Sequence, residues 1–278
     1  MNTKHSSGLD TKGKSLHLLL LLEKDICQIE TLFAVVYDDI DDSIHQFRKA
    51  LKSMFASLLM VQYAIDQDSY LDLKSKFSNM SRQFAEFRES YVYLDTLKLV
   101  KKLIIDIDEY SYAIIEENIQ SKHRFLVIDN KHLTLLIKNL KELTIQIRED
   151  IDSKAIVSNI KLIKKAHLKT FRKSRRLLKA LSINSSPSRY HKIRKWCNYY
   201  NFQNVTLHKN GLNNVHATKY KKMHKLITYL GMEHDLQQLN TYLENNFPNL
   251  NSNIRIIISF KIKKLRRKIL NTFPQFYS

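Results

Sequence analysis

Apolar residues recur three and four positions apart along almost the whole chain. Leu18, Leu21, Leu22, Ile26, Ile29 and Phe33 form one stripe, Phe47, Leu51, Met54, Phe55 and Leu58 a second, and Leu133, Leu136, Leu140, Leu143 and Ile147 a third. Such spacing returns to one side of an α-helix, so each stripe predicts a helix with a single apolar face. No stretch keeps the alternation of a half-buried strand backed by turn dipeptides. Asp38-Asp39-Ile40-Asp41-Asp42-Ser43 supplies a break and cap residues, and Ser185-Ser186-Pro187 does the same near the middle, with proline suited to a first helical position. Asn210-Gly211 and Leu230-Gly231 predict loops. The pattern predicts an all-α chain of about ten helices over residues 16–278. Residues 1–15 lack the periodicity and predict a mobile tail.

Composition strengthens this reading. Only 4 Gly and 3 Pro occur in 278 residues, too few for the many turns of a sandwich or barrel or for Gly-rich phosphate loops. The longest apolar run, Leu18 to Leu22, is followed at once by charge. A spanning helix needs about 20 apolar residues, so no membrane segment is expected. Cys27 and Cys197 make no disulfide framework and no C-x-x-C zinc pattern, which fits a reduced, cytoplasmic setting.

Charge divides the chain. The formal net charge is +19, yet residues 161–278 hold 25 Lys+Arg against Glu233, Asp235 and Glu244 alone, while residues 1–160 hold 21 bases and 24 acids. So much like charge repels itself unless a counter-charge answers it, and the second half is expected to face a polyanion.

The halves also share a register. His45-Gln46-Phe47-Arg48-Lys49 returns 146 positions later as His191-Lys192-Ile193-Arg194-Lys195. The same shift places Lys76 on Lys222, Phe77 on Met223, Met80 on Leu226, Phe84 on Leu230, Leu97 on Leu243 and Glu89 on Asp235. A basic signature and an apolar pattern kept together in one register point to a duplicated helical unit, with a first half over 16–150 and a second over 151–278. On a helix, His45, Arg48, Lys49 and Lys52 share a face away from Phe47, Leu51 and Met54, and His191, Arg194, Lys195 and Asn198 do so away from Ile193, Cys197 and Tyr200. Arginine offers a planar fork of donors, lysine a mobile point charge and histidine a donor that gains charge near neutrality. A row of these without interleaved acids suits phosphate oxygens. Further basic rows follow helical spacing: Lys161, Lys165, Lys169, Arg172, Arg176 and Lys179; Lys219, Lys222 and Lys225; and Lys261, Lys264 and Lys268. Together they are expected to wall a positive groove.

His45-x-x-Arg48-Lys49-Ala50-Leu51, His191-x-x-Arg194-Lys195 and Leu230-Gly231-Met232-Glu233-His234-Asp235-Leu236 resemble the CHAD domain family, whose name refers to its histidines and helical content. The last segment is similar to that family's helix junction, with Arg88-Glu89 as the first-half equivalent and Glu89 in place of the usual Asp. The resemblance implies two tandem four-helix bundles, related by a pseudo-two-fold, around a basic central cavity. It also implies binding of inorganic polyphosphate and association with polyphosphate granules, without catalysis. By motif, His45, Arg48, Lys49, His191, Arg194 and Lys195 inherit the binding role. Lys52, Lys76, Lys169, Arg172, Arg176 and Lys222 complete the candidate set. The Glu-x-Glu-x-Lys strand of the triphosphate-tunnel enzymes often joined to such domains is absent from the sequence.

Two other classes compete. The same cations would serve nucleic acid, with Tyr199, Tyr200 and Phe202 as stacking platforms. His234-Asp235 matches the dyad of an HD-type phosphohydrolase, but the repeat sets Arg88 opposite His234, and a helix-capping role for Asp235 is the simpler expectation. No cofactor and no metal are called for.

Overall fold

Helix boundaries follow local chemistry. Asp39 caps the first long helix by accepting the amide of Asp42 at 3.0 Å, and Asp66 caps the next by accepting that of Ser69 at 2.8 Å. Each such cap contributes about 1 kcal/mol. Pro187 stands at the first position of its helix, where a missing N–H costs nothing. Gly211, at φ +65°, turns the chain beyond the end of that helix in a conformation few other residues adopt.

The computed structural model describes residues 25–34, 36, 39–103, 109–128, 130–153, 160–209, 211, 217–248 and 252–274. These form α1 (25–34), α2 (Ile40–Val61), α3 (Gln67–Gln83), α4 (Ala85–Lys101), α5 (Glu109–Ile128), α6 (Asn130–Ser153), α7 (Ile160–Lys179), α8 (Pro187–Lys209), α9 (Ala217–Asn246) and α10 (Ser252–Thr272), with no strand among the described residues. The expected tail, Leu18, Leu21, Leu22 and the side chains of Arg88 and Lys219 lie outside them.

The predicted stripes become three cores. The first joins α1, α2, α3 and α6 with Ile163 of α7 and with Tyr199 and Leu207 of α8. At its centre Phe47 packs between Phe33 and Phe84, with ring centres 5.1 and 5.3 Å away. Rings of this kind bury about 150–250 Å² each, so this trio is a large part of that core. The second core joins α4 and α5 to α9 and α10, and the third joins α7 to α10 around Leu178, Ile193, Cys197, Leu230 and Ile269. Two of the three cores therefore draw on helices from both sides of residue 150.

A shift of 146 carries Ile40–Val61 onto residues 186–207, close to the span of α8. In the first half the chain breaks at Phe84, between α3 and α4. Its counterpart does not break, because α9 runs through Leu230-Gly231 without interruption. The loop expected there, and the capping role expected of Asp235, are thus corrected. Buried Met223, Leu226, Leu230, Glu233, Asn240 and Leu243 keep helical spacing across the glycine, and packing overrides the weak local signal.

Different polar clasps hold the halves. In the second, Arg266 of α10 donates through Nε to Glu233 of α9 at 2.8 Å, and through Nη1 to the carbonyls of Ile183 and Ser185 at 3.1 Å. Its guanidinium lies 4.3 Å from the ring centre of Tyr190, whose phenol burial pushes up to about 12. Burial outweighs the arginine at Glu233 and raises its carboxyl above the ordinary range. In the first half, His123 of α5 bridges Ser90 of α4 at 2.9 Å and Asp41 of α2 at 3.1 Å.

Candidate functional site

The two signature helices pack directly on one another. Phe55 of α2 stacks on Tyr199 of α8 with ring centres 5.2 Å apart and planes 13° from parallel. The amide of Gln203, fully buried, donates to the carbonyl of Ala56 at 3.0 Å. Its oxygen faces Nδ1 of His167 on α7 at 3.3 Å, and that imidazole stacks on Tyr200 at 5.1 Å. Burial holds His167 below its ordinary range, so it serves as a neutral strut between α7 and α8.

This packing gathers cations from both copies of the signature. Nζ of Lys195 lies 5.8 Å from the ring centres of both Phe55 and Tyr199, leaning from α8 across α2. His191 is held below its ordinary range first by burial and then by Arg194, Lys195 and Lys52. Lys52 belongs to α2, so a cation of the first half acts on the histidine of the second. Nδ1 of His191 sits 3.5 Å from Nδ1 of His234, and Arg194 lies 4.0 Å from Asp235. His191, Arg194, His234 and Asp235 thus stand together, with the charges of Lys195 and, from α2, Lys52 acting on His191.

The other candidates stand around this group. His45 and Lys49 are exposed on α2, with Arg48 half-buried beside them. Lys169 donates to the Tyr63 hydroxyl at 2.8 Å and, with Lys165, lies over that ring, which follows the end of α2. Arg172 and Arg176 are exposed further along α7, where Lys173 rests 5.6 Å from the Trp196 ring. Lys222 is exposed on α9. Lys76 pairs with Asp72 of its own helix at 3.0 Å, so part of its charge is answered locally.

All three acids of residues 161–278 face arginines. Glu233 meets Arg266, Asp235 lies beside Arg194, and Glu244 accepts from Arg255 at 3.0 Å. The rings considered as stacking platforms are used internally: Tyr199 is buried against Phe55, Tyr200 stacks on His167, and Phe202 packs on the first core. Arg194 lies beside Asp235, and its positive charge makes the His234-Asp235 dyad a poor setting for a metal cation; no cluster of metal-ligating side chains occurs among the described residues. No described helix is long and apolar enough to cross a membrane.

Sequence reasoning placed His234 at a helix junction and missed its contact with His191. It also passed over His167, Gln203 and Tyr63, whose roles arise from pairings between distant segments.

The CHAD domain profile matches residues 21–244. The chain belongs to the CHAD domain family, which is associated with polyphosphate binding and consists generally of binding domains. Two solved structures share the fold. PptA from Streptomyces chartreusis is 9% identical, with a TM-score of 0.68 over 95% of this chain and 97% of its own. The CHAD domain from the plant Ricinus communis is 14% identical, with a TM-score of 0.64 over 94% of this chain and 91% of its own. No curated protein matches the sequence.

Proposed function

We propose that this chain binds inorganic polyphosphate without acting on it chemically, through a site centred on Lys52, His191, Arg194 and Lys195. His45, Arg48 and Lys49 extend the site along α2, and Lys169, Arg172 and Arg176 extend it along α7. Lys76 and Lys222 are its outlying members. The supporting observation is the convergence on His191 of cations from both signature helices. Bringing like charges together is unfavourable in the free protein and becomes favourable once a chain of phosphates runs between them. The two halves are read as related bundles around a basic cavity, and the protein as cytoplasmic and drawn to polyphosphate granules.

The test is titration with long-chain polyphosphate at several salt concentrations. Affinity is expected to fall steeply with salt as counterion release loses its drive. Replacing His191, Arg194 and Lys195 together by Gln is expected to weaken binding by about 100-fold, since charge-assisted hydrogen bonds contribute roughly 1.5–3 kcal/mol each and part of the row survives. Unchanged affinity in that folded variant refutes the site. Single-stranded RNA competing as well as polyphosphate at equal charge refutes the assignment of the ligand.

A further inference from the structure

A cavity of about 420 Å³ opens where α4 meets α9 and α10. Apart from Thr96 its walls are apolar: Leu99 and Val100 from the end of α4, Leu103 just beyond it, Met232 and Leu236 from α9, and Leu265 from α10. Leu99 is 53% exposed, Leu103 48% and Met232 47%. Large apolar side chains exposed singly are ordinary, but three of them lining one hollow mark a surface built for an apolar guest. The volume falls in the range of ligand sites, about 300–1,000 Å³, with room for one alkyl chain and not for a two-chain lipid.

The rim has the opposite character. Lys102 follows α4, while Lys261, Lys264 and Lys268 form one row of α10 at helical spacing. Asp235 supplies the carboxylate of the lining, and it lies 4.0 Å from Arg194 on the signature side. Nζ of Lys268 rests 5.4 Å from the ring centre of Tyr229 on α9. Lysine stems extend an apolar wall while their ammonium groups stay in water. Greasy walls under a cationic rim do not suit polyphosphate, which offers nothing to fill the hollow. They suit a molecule with one long alkyl chain and a terminal anion.

We propose that this groove binds a single-chain anionic amphiphile, alkyl chain inward and head group among Lys102, Lys261, Lys264 and Lys268. The site shares Asp235 with the edge of the cluster around His191 but none of that cluster's cations, and it does not depend on the polyphosphate assignment. Its walls come from both halves of the chain, so a bound alkyl chain bridges α4 to α9 and α10.

The whole chain is titrated calorimetrically with hexadecanoate, hexadecyl phosphate and hexadecanol, each below its micelle or solubility limit. Saturable, stoichiometric binding of both anions is expected, with the alcohol about ten-fold weaker for lack of the charged head. A preference between the two anions tells carboxylate from phosphate head groups. The double variant Leu99→Gln, Met232→Gln alters exposed positions, so it folds; it is expected to bind both anions at least about ten-fold more weakly while its polyphosphate titration is unchanged. Lys261→Gln, Lys264→Gln is expected to erase the preference for anion over alcohol. Absence of saturable binding, equal binding of hexadecanol, or undiminished binding by the Leu99/Met232 variant overturns the proposal. So does association with anionic vesicles that this variant leaves intact, since attraction to a charged surface needs no groove.

Discussion

Nδ1 of His191 lies 3.5 Å from Nδ1 of His234, with the two rings 4.8 Å apart. At that separation one nitrogen donates and the other accepts, so the pair holds at most one proton on the facing side. Burial and the charges of Arg194, Lys195 and Lys52 disfavour protonation of His191 in the folded chain. Its folded value is below the ordinary 6.5, so in the window beneath that value the unfolded chain binds the additional proton. The stabilising contribution of His191 is therefore full above 6.5 and is lost as pH falls through the lowered folded value. Urea unfolding at successive pH values is expected to show this decline, and His191→Gln to flatten it. A bound polyanion reverses the local field, so polyphosphate binding should take up protons near pH 6. Calorimetry in buffers of differing ionisation enthalpy reads that uptake directly, and the same variant should reduce it.

The Arg266–Glu233 pair makes a different prediction. Glu233 is 1% and Arg266 9% exposed, and breaking one member of a buried pair leaves the other charge without its counterion. Glu233→Gln is expected to cost about 3 kcal/mol and Arg266→Ala about 3–5 kcal/mol in urea unfolding. Exchange of both for apolar residues of similar volume should recover much of that loss, although the carbonyls of Ile183 and Ser185 also lose their donor. Losses below about 0.5 kcal/mol would show that this clasp is dispensable.

Gly231 and Gly211 should respond oppositely to alanine. Gly231 lies inside α9, and a methyl group added there meets nothing within 4 Å. Gly231→Ala should stabilise by about 0.5–1 kcal/mol through helix propensity and reduced freedom of the unfolded chain. Gly211 also has open space, but its φ is +65°. Gly211→Ala is expected to destabilise by about 1 kcal/mol. Thermal unfolding of the two variants distinguishes conformational strain from steric crowding.

The contrast between these glycines shows what could be read from the chain. Helical stripes were legible because burial repeats every three or four residues, and Phe47, Leu51, Met54, Ile193 and Cys197 are all buried as their spacing predicts. The shared register was legible because His45-x-x-Arg48-Lys49 and His191-x-x-Arg194-Lys195 keep both spacing and residue type. Leu230-Gly231 misled because a glycine signals a break only where packing does not demand continuity. The cluster at His191 was half legible. Spacing along one helix places Arg194 and Lys195 beside it, but Lys52 arrives from another helix, and only the stacking of Phe55 on Tyr199 and the bond from Gln203 to Ala56 bring it there. The apolar groove was hidden for the same reason: Leu99, Met232 and Leu265 belong to three separate helices.

Lys52 and Lys195 carry the last prediction. They reach one site from different halves: Lys52 acts on His191, and Lys195 leans over Phe55 beside it. If a single phosphate chain lies across both, removing either cation should shift the chain away from the other, and the two losses should not add. Lys52→Gln and Lys195→Gln are each expected to weaken polyphosphate binding by about 5–10-fold and to reduce the salt dependence by close to one counterion. The double variant should fall short of the product of the single effects by a coupling of about 0.5–1 kcal/mol. Phe55→Leu keeps both charges but removes the ring under Lys195, and should weaken binding without changing the salt dependence, because it alters position and not charge. Additive losses would mean that the two lysines serve separate stretches of phosphate and that the halves bind independently.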